Sequence, residues 1–305
     1  MCCASLSQHR TGVFGEFLYL RPGNVDVVYA VEQTSFDPQL ASPTGPVGRV
    51  APGNGAGFRL GGNWALNDCA SLVATYSWLE TDTEDTITAA PGNVLDLTVG
   101  HPSVITSGAT SIAASSTYDI GFQTLDLDYR ALLWGNCNAA LNYSLGMRYA
   151  HLEQEFQAQQ EIFSAAGLTT VATQIDFDGF GIRGGLDGTK QNAETGILVY
   201  AKAYANFVGG EFKADFTQSN QFGGTAVIGN DFADYRIVTI LESEVGMGWQ
   251  SCNGRVRVTG GYAVTGWLNT LTTGSYINGV QTREYDQLSE TLTFDGLVTR
   301  VEVRY

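Results

Sequence analysis

Lysine is nearly missing from this chain: three occur among 305 residues, Lys190, Lys202 and Lys213. Bases of both kinds number 16 against 31 acids, for a net charge of −15. Nucleic-acid binding needs a basic face to meet phosphates, so that partner class is excluded. No eighteen apolar residues run together, which excludes a transmembrane helix. Cys-x-x-Cys pairs of the kind that ligate zinc are missing, as is the Gly-x-Ser-x-Gly turn of serine hydrolases. Nothing in the pattern asks for a metal or a cofactor. Met1–Arg10 is polar and shows no apolar signal-peptide core. The expectation is therefore a mature or recombinant form or a misplaced start, with a lipid-attachment remnant at Cys2-Cys3 as the remoter reading.

What is plentiful is Gly (37), Phe (15), Tyr (14) and Thr, against 7 Pro. That mixture suits strands and turns. Alternation with a period of two runs through most of the chain. Leu125, Leu127, Tyr129, Ala131 and Leu133 share one face, and Thr124, Asp126, Asp128 and Arg130 share the other. On a helix, at 100° per residue, Asp126, Asp128 and Arg130 would scatter. The same test marks ten strands, at about 13–21, 56–66, 70–81, 117–135, 139–158, 172–187, 194–208, 234–250, 254–270 and 289–305.

Tight turns alternate with long connections. The turns are Asn67-Asp68-Cys69, Asn136-Cys137-Asn138, Gly188 to Asn192, and Ser251 to Gly254. The long connections are expected as loops at 22–55, 82–116, 159–171, 209–233 and 271–288. This layout predicts an all-β fold, a transmembrane antiparallel up-and-down β-barrel with short periplasmic turns and long extracellular loops. Ten strands are expected, or twelve if Val25–Val31 pairs within the first loop. The chain divides into an N-terminal periplasmic segment, 1–11, and a single barrel, 12–305, with both termini periplasmic. Exposed aromatics at the short-turn end (Trp64, Trp249, Tyr305) fit an interfacial girdle. A soluble β-sandwich array is the competing fold.

In a barrel the polar face lines the lumen. It carries Glu16, Arg59, Asp126, Asp128, Arg130, Arg148, Arg183, Lys202, Glu242, Glu244, Arg255, Arg257, Arg300, Glu302 and Arg304, with small residues such as Gly61, Gly146, Gly181, Gly185, Gly246 and Gly248 between them. Signs are mixed, and charges in a narrow tube are costly unless paired, so cross-strand ion pairs are expected. The set is then either a structural plug or a constriction that selects small solutes. The acids Glu80, Asp82, Glu84, Asp85, Asp96, Glu211, Asp215, Asp231 and Asp234 fall in the expected loops, as a solvated rim or as divalent-cation or cation-attracting groups. Cys69, Cys137 and Cys252 each lie in a tight turn and Cys2 and Cys3 precede the first strand. All five are disulfide candidates, internal or between chains. An outer-membrane protease would need acids and a His at the outer mouth; His101, His151, Asp82, Asp85 and Glu153 are the groups available for that.

The stretch Gly12-Val13-Phe14-Gly15-Glu16-Phe17-Leu18-Tyr19-Leu20-Arg21-Pro22, followed by Val27-Val28-Tyr29-Ala30, resembles the opening of the pore-forming outer-membrane proteins typified by the Legionella major outer membrane protein, with planctomycete relatives. Gly57–Gly61, Leu125–Tyr129, Gly146–Tyr149, Phe180–Gly185 and the terminal Val-Arg-Tyr are similar to that family too, although bacterial barrels usually end in Phe rather than Tyr. The resemblance implies an outer-membrane barrel, often a pore, and brings no catalytic residues. The expected function is porin-like passive diffusion of ions or small solutes. The alternative is a closed barrel with a structural, surface-array or adhesive role through its loops, and a protease is the remote third. Expected partners are outer-membrane lipid, the barrel-assembly machinery, and further copies in a homo-oligomer or disulfide-linked assembly.

Overall fold

The computed structural model describes residues 8–35, 40–103, 111–162, 167–220, 228–286 and 288–305. In chain order the elements are β1 (Gly12–Gly23), β2 (Val27–Gln33), β3 (Pro43–Val50), β4 (Gly55–Asn67), β5 (Ala70–Thr88), β6 (Val94–Leu97), β7 (Ser111–Gly135), β8 (Ala139–Ile162), β9 (Gly167–Gln191), β10 (Ile197–Asn220), β11 (Ile228–Gln250), β12 (Val256–Thr270), α1 (Thr273–Thr282) and β13 (Glu290–Arg304). Ten strands form one antiparallel ring in the order β1-β13-β12-β11-β10-β9-β8-β7-β5-β4. β1 pairs with β13 on one side and β4 on the other, so the ring closes, while β5 beyond Glu80 and β11 before Thr239 run past the ends of their neighbours β4 and β12. β2, β3 and β6 make a separate small sheet. Val27–Val31 thus pairs outside the ring, and the barrel count is ten rather than twelve.

Three of the four tight turns lie where the sequence places them. Each is held by an Asn side chain accepting from the backbone two residues on: Asn67 from Cys69 (2.8 Å), Asn136 from Asn138 (2.9 Å) and Asn253 from Arg255 (3.0 Å). The fourth is displaced. Gly188–Gln191 continue β9, and the chain reverses at 192–196, where Asn192 accepts from Glu194 and Gly196 takes φ +75°. Gly196 supplies the left-handed backbone that other residues avoid.

Next to the short turns, the outer surface of the barrel is apolar. Phe17, Leu60, Leu127, Met147, Ile182, Val199, Val245, Val258 and Val301, from nine different strands, are all exposed. On β12 the band runs from Val256 to Leu268. Those thirteen residues make twelve rises of ~3.3 Å, which at a tilt of ~40° cover roughly 30 Å, close to the apolar height of a membrane barrel. A soluble protein would bury such a belt. Trp64 (71% exposed) and Tyr305 (74%) mark its short-turn rim.

Beyond the band the strands continue, and the two faces exchange polarity. On β8 the outward residues change from Leu145, Met147 and Tyr149 to His151, Glu153 and Glu155. The inward ones change from Ser144 and Arg148 to Leu152 and Phe156. β7 does the same, with Asp126 and Asp128 inward below and Phe122, Ile120 and Tyr118 inward above. The expected loops at 82–116, 159–171 and 209–233 are therefore largely strand. Glu80, Asp82, Glu84 and Asp85 belong to β5, Glu211 and Asp215 to β10, Asp231 and Asp234 to β11, and Asp96 to β6. These acids decorate a β-surface standing in water, so a polar stretch there does not signal a loop.

The inward apolar residues of this outer half make one core. Phe122 of β7 meets Phe294 of β13 edge-on across the interior (4.8 Å between ring centres), with Trp267 of β12 beside them. α1 seats on that core, burying Tyr276, Ile277 and Val280. It starts in a capping box between Thr272 and Ser275. The Tyr276 hydroxyl donates to the Ala214 carbonyl (3.0 Å), and Gln154 donates to the Leu271 carbonyl (2.8 Å). The connection 271–288, read as a loop, is in large part a helix packed on the barrel's own core.

Candidate functional site: the charged lumen

Within the apolar band the inward positions hold the charges. Antiparallel register sets the first contacts: Glu16 stands opposite Arg59 on β4 and Arg300 on β13, Asp126 opposite Arg148, and Lys202 opposite Glu244. Arg148 Nε and Nη2 donate to the two Asp126 oxygens at 2.5 and 2.7 Å, and Nη1 donates to Glu242 at 2.7 Å. Arg183 donates to Asp128 (3.2 Å), Asn206 (2.8 Å) and the second oxygen of Glu242 (2.6 Å). Its guanidinium lies 3.9 Å above the Tyr204 ring. One carboxylate of β11 thus ties together arginines of β8 and β9.

A second group forms around Glu16, which accepts from Arg59 (2.6 Å) and Arg300 (3.0 Å) and lies 3.7 Å from Lys202. Lys202 donates to Glu244 at 2.9 Å, and Arg59 reaches within 3.8 Å of that same acid. Arg59 on β4 and Glu244 on β11 face each other across the bore, as do Glu16 and Lys202. Nearer the short turns, Glu302 accepts from Arg304 (2.8 and 3.0 Å), Arg300 (3.4 Å) and Asn63 (2.9 Å). Arg130 donates to Asp187 at 2.7 Å, and Asn142 donates to that same acid at 3.0 Å. Multiple charge-assisted bonds per ion are what make such burial tolerable.

Tyr200 and Tyr204 fill the space between the groups, and glycine makes that space. Gly246 and Gly261 stand opposite each other on β11 and β12. A Cβ on either would come within 2.7 Å of the Tyr200 hydroxyl. The cavity left over is about 120 Å³. Eight bases and seven acids line it, so the lumen is close to neutral inside a chain of net charge −15.

Of the residues expected in the lumen, Glu16, Arg59, Asp126, Asp128, Arg130, Arg148, Arg183, Lys202, Glu242, Glu244, Arg257, Arg300, Glu302 and Arg304 all line this cavity. Arg255 does not. It precedes β12, is exposed in the β11–β12 turn, and engages Arg304 through its backbone carbonyl. Alternation had given it the inward parity, but the strand has not yet begun. Asp187, Asn206 and His9 were not anticipated. Asp187 and Asn206 share inward parity with Arg183 and Lys202, a signal the pattern carried.

His9 lies outside the strands. Its ring sits at the short-turn mouth, with Nδ1 2.8 Å from Ser71 Oγ and Nε2 3.2 Å from Asn142 Oδ1. Burial, and then the Arg130 charge, hold its pKa below the ordinary imidazole value.

Cys69, Cys137 and Cys252 are exposed free thiols, and Cys2 and Cys3 lie outside the described residues. A disulfide among the three turns is therefore not formed. The β4–β5 and β7–β8 turns lie two strand spacings apart, roughly 10 Å, beyond disulfide reach.

Of the groups named for a protease, the structure brings together His151 and Glu153, apart from Asp82, Asp85 and His101. His151 points out of the barrel beside Asp178 (3.0 Å) and Glu153 (4.0 Å). Asp82 pairs with Asp119, four residues further along β5 than the position level with His151, and Asp85 accepts from Tyr29 (2.9 Å). His101 turns back on Ser103. His151, Glu153 and Asp176 do bring ligand-type atoms within 4.8 Å of one another on the outer surface. Burial, above all, lifts the Glu153 and Asp176 carboxyls above the usual carboxylate range.

Residues 7–304 match the family model described as Legionella pneumophila major outer membrane protein precursor. The chain belongs to that family. Membership places this barrel in the bacterial outer membrane, in agreement with its apolar belt. No curated protein is matched by the sequence. Among solved structures, the outer membrane protease OmpT from Escherichia coli is similar at 10% identity and TM-score 0.45, with 96% of this chain and 97% of that one covered. The P. putida toluene transporter TodX is similar at 9% identity and TM-score 0.31, covering 97% and 90%. Neither likeness carries function across.

Proposed function

We propose that this family member is a closed outer-membrane barrel with a structural role in the envelope, passive and without a chemical step, its short turns and termini in the periplasm and its acidic half outside. The observation that carries this reading is the double filling of the tube. Ion pairs cross the bore within the membrane, and Phe122, Phe294 and Trp267 meet across it above. Opening a path would require breaking both a bonded charge network and a packed core. The outer half then presents a rigid acidic surface for contacts with cations, neighbouring copies or other envelope components.

Porin-like diffusion is the second reading, favoured by the charge-lined cavity of about 120 Å³. It needs the α1-capped core to move aside. Planar-bilayer recording on purified protein separates the two. The closed barrel gives a baseline free of stepwise currents, whereas reproducible unitary steps that scale with salt would establish the pore.

A further inference from the structure

At the short-turn mouth, below the neutral lumen, lies a smaller recess of about 30 Å³. Arg10, Arg130, Arg257 and Arg304 line it, and no Asp or Glu does. The carboxylates that engage two of these arginines, Asp187 for Arg130 and Glu302 for Arg304, line the deeper cavity instead. The recess therefore sees the unscreened side of each guanidinium.

Arg257 is the telling member. Register sets it opposite Glu302, but Glu302 is taken up by Arg300, Arg304 and Asn63. Among the described residues no carboxylate lies within ion-pair distance of Arg257. Its one side-chain hydrogen bond among those residues goes to the Thr189 hydroxyl, at 3.2 Å. The charges of Arg304, Arg300 and Arg130 repel it, and that of Glu302 opposes them. An enclosed guanidinium among like charges, with most donors unspent, lacks a counter-anion. Arg10 comes from the N-terminal segment and is anchored by donating to the Asn253 carbonyl at 2.8 Å, which places a second cation on the same opening.

We infer that this recess is a binding site for a small oxyanion of the phosphate type, held by Arg257 and Arg10 with the Thr189 hydroxyl beside them. Forked guanidiniums match the spacing of phosphate oxygens, and a hydroxyl adds a further bond. The recess is open at the mouth, so the oxygens of such a group can meet the guanidiniums while the remainder stays outside. The site is independent of whether the barrel conducts, since it opens at one end only of the lumen.

The test is titration of the full chain, folded in detergent, with inorganic phosphate and separately with glycerol phosphate, followed by phosphorus NMR line broadening. Saturable binding that weakens as sodium chloride is raised is the expected result. Equal affinity for the two ligands identifies the phosphoryl group as the whole determinant, and tighter binding of glycerol phosphate assigns an organic phosphate as the natural occupant. Arg257→Gln should weaken binding by about tenfold or more, the scale of one charge-assisted hydrogen bond. Arg10→Gln lies outside the strands, leaves the barrel intact, and should weaken binding several-fold even if the Arg257 variant does not fold. Arg255→Gln, on the exposed turn, should change nothing. Non-saturable broadening, or undiminished binding by Arg10→Gln and Arg257→Gln, would overturn the assignment.

Discussion

Replacing Arg148 by Gln is the sharpest probe of whether the lumen charges hold the barrel together. The side chain makes three charge-assisted hydrogen bonds, two to Asp126 and one to Glu242. At ~1.5–3 kcal/mol each, their loss would amount to roughly 5–9 kcal/mol. Part of this is recovered. Glu242 keeps its 2.6 Å bond to Arg183, and Asp126 still lies 3.7 Å from that same guanidinium. The glutamine amide also replaces one donor. The expected net cost is about 3–4 kcal/mol, within the range for stripping one partner from a buried pair. That is a factor of several hundred in the folding equilibrium. The assay is reversible urea unfolding in lipid vesicles, read by tryptophan fluorescence. Asp126→Asn alone and together with Arg148→Gln completes the cycle, with a coupling of about 2 kcal/mol or more expected. An Arg148→Gln barrel within about 0.5 kcal/mol of the parent, with no coupling to Asp126, would refute the account of the network as a structural brace.

Other expectations follow from the same picture. Because His9 has a depressed pKa in its docked position, docking of the N-terminal segment is favoured by neutral imidazole, fully present above about pH 6.5. It weakens as pH falls through the lower docked value, where the protonated ring would face Arg130 and Arg304 with only Asp187 opposing. Proteolysis near residues 8–10 should therefore accelerate on acidification, and His9→Gln should lose that pH dependence. Phe122→Ala removes a ring from the core that caps the lumen, at a cost of about 3–5 kcal/mol by urea titration. Leu241→Arg puts a charge in the apolar belt and should cost about 2–4 kcal/mol, while Glu211→Arg in the outer half should change stability little. Cys69, Cys137 and Cys252 should each react with a maleimide without prior reduction; protection of any one would contradict their exposure as free thiols.

The membrane half was readable in the sequence because one physical rule governs it throughout. Leu125, Leu127 and Tyr129 against Asp126, Asp128 and Arg130 could face only lipid and lumen, and register then brought the charges into pairs. The outer half follows the opposite assignment. Leu152 and Phe156 are inward and His151, Glu153 and Glu155 outward, so polar residues that line no lumen read as loop. Arg255 kept the right parity but fell one residue before its strand. His9 carries no periodic signal, since its place depends on how the N-terminal segment folds back under the barrel. The cysteines shared one end of the molecule, but sharing an end does not bring sulfurs within bonding distance.

The exchange of faces partway up the long strands, such as β7, β8 and β9, also works as a depth gauge. Sinking the barrel further into the bilayer would drag Asp119, Glu153, Glu155 and Asp178 into hydrocarbon, and raising it would strand Leu125 and Tyr149 in water. Either displacement is opposed on several strands at once, so vertical position is set to within about a residue pair. A barrel seated this firmly resists tilting and sliding as membrane thickness varies. It thereby holds its acidic outer surface at a constant height above the lipid.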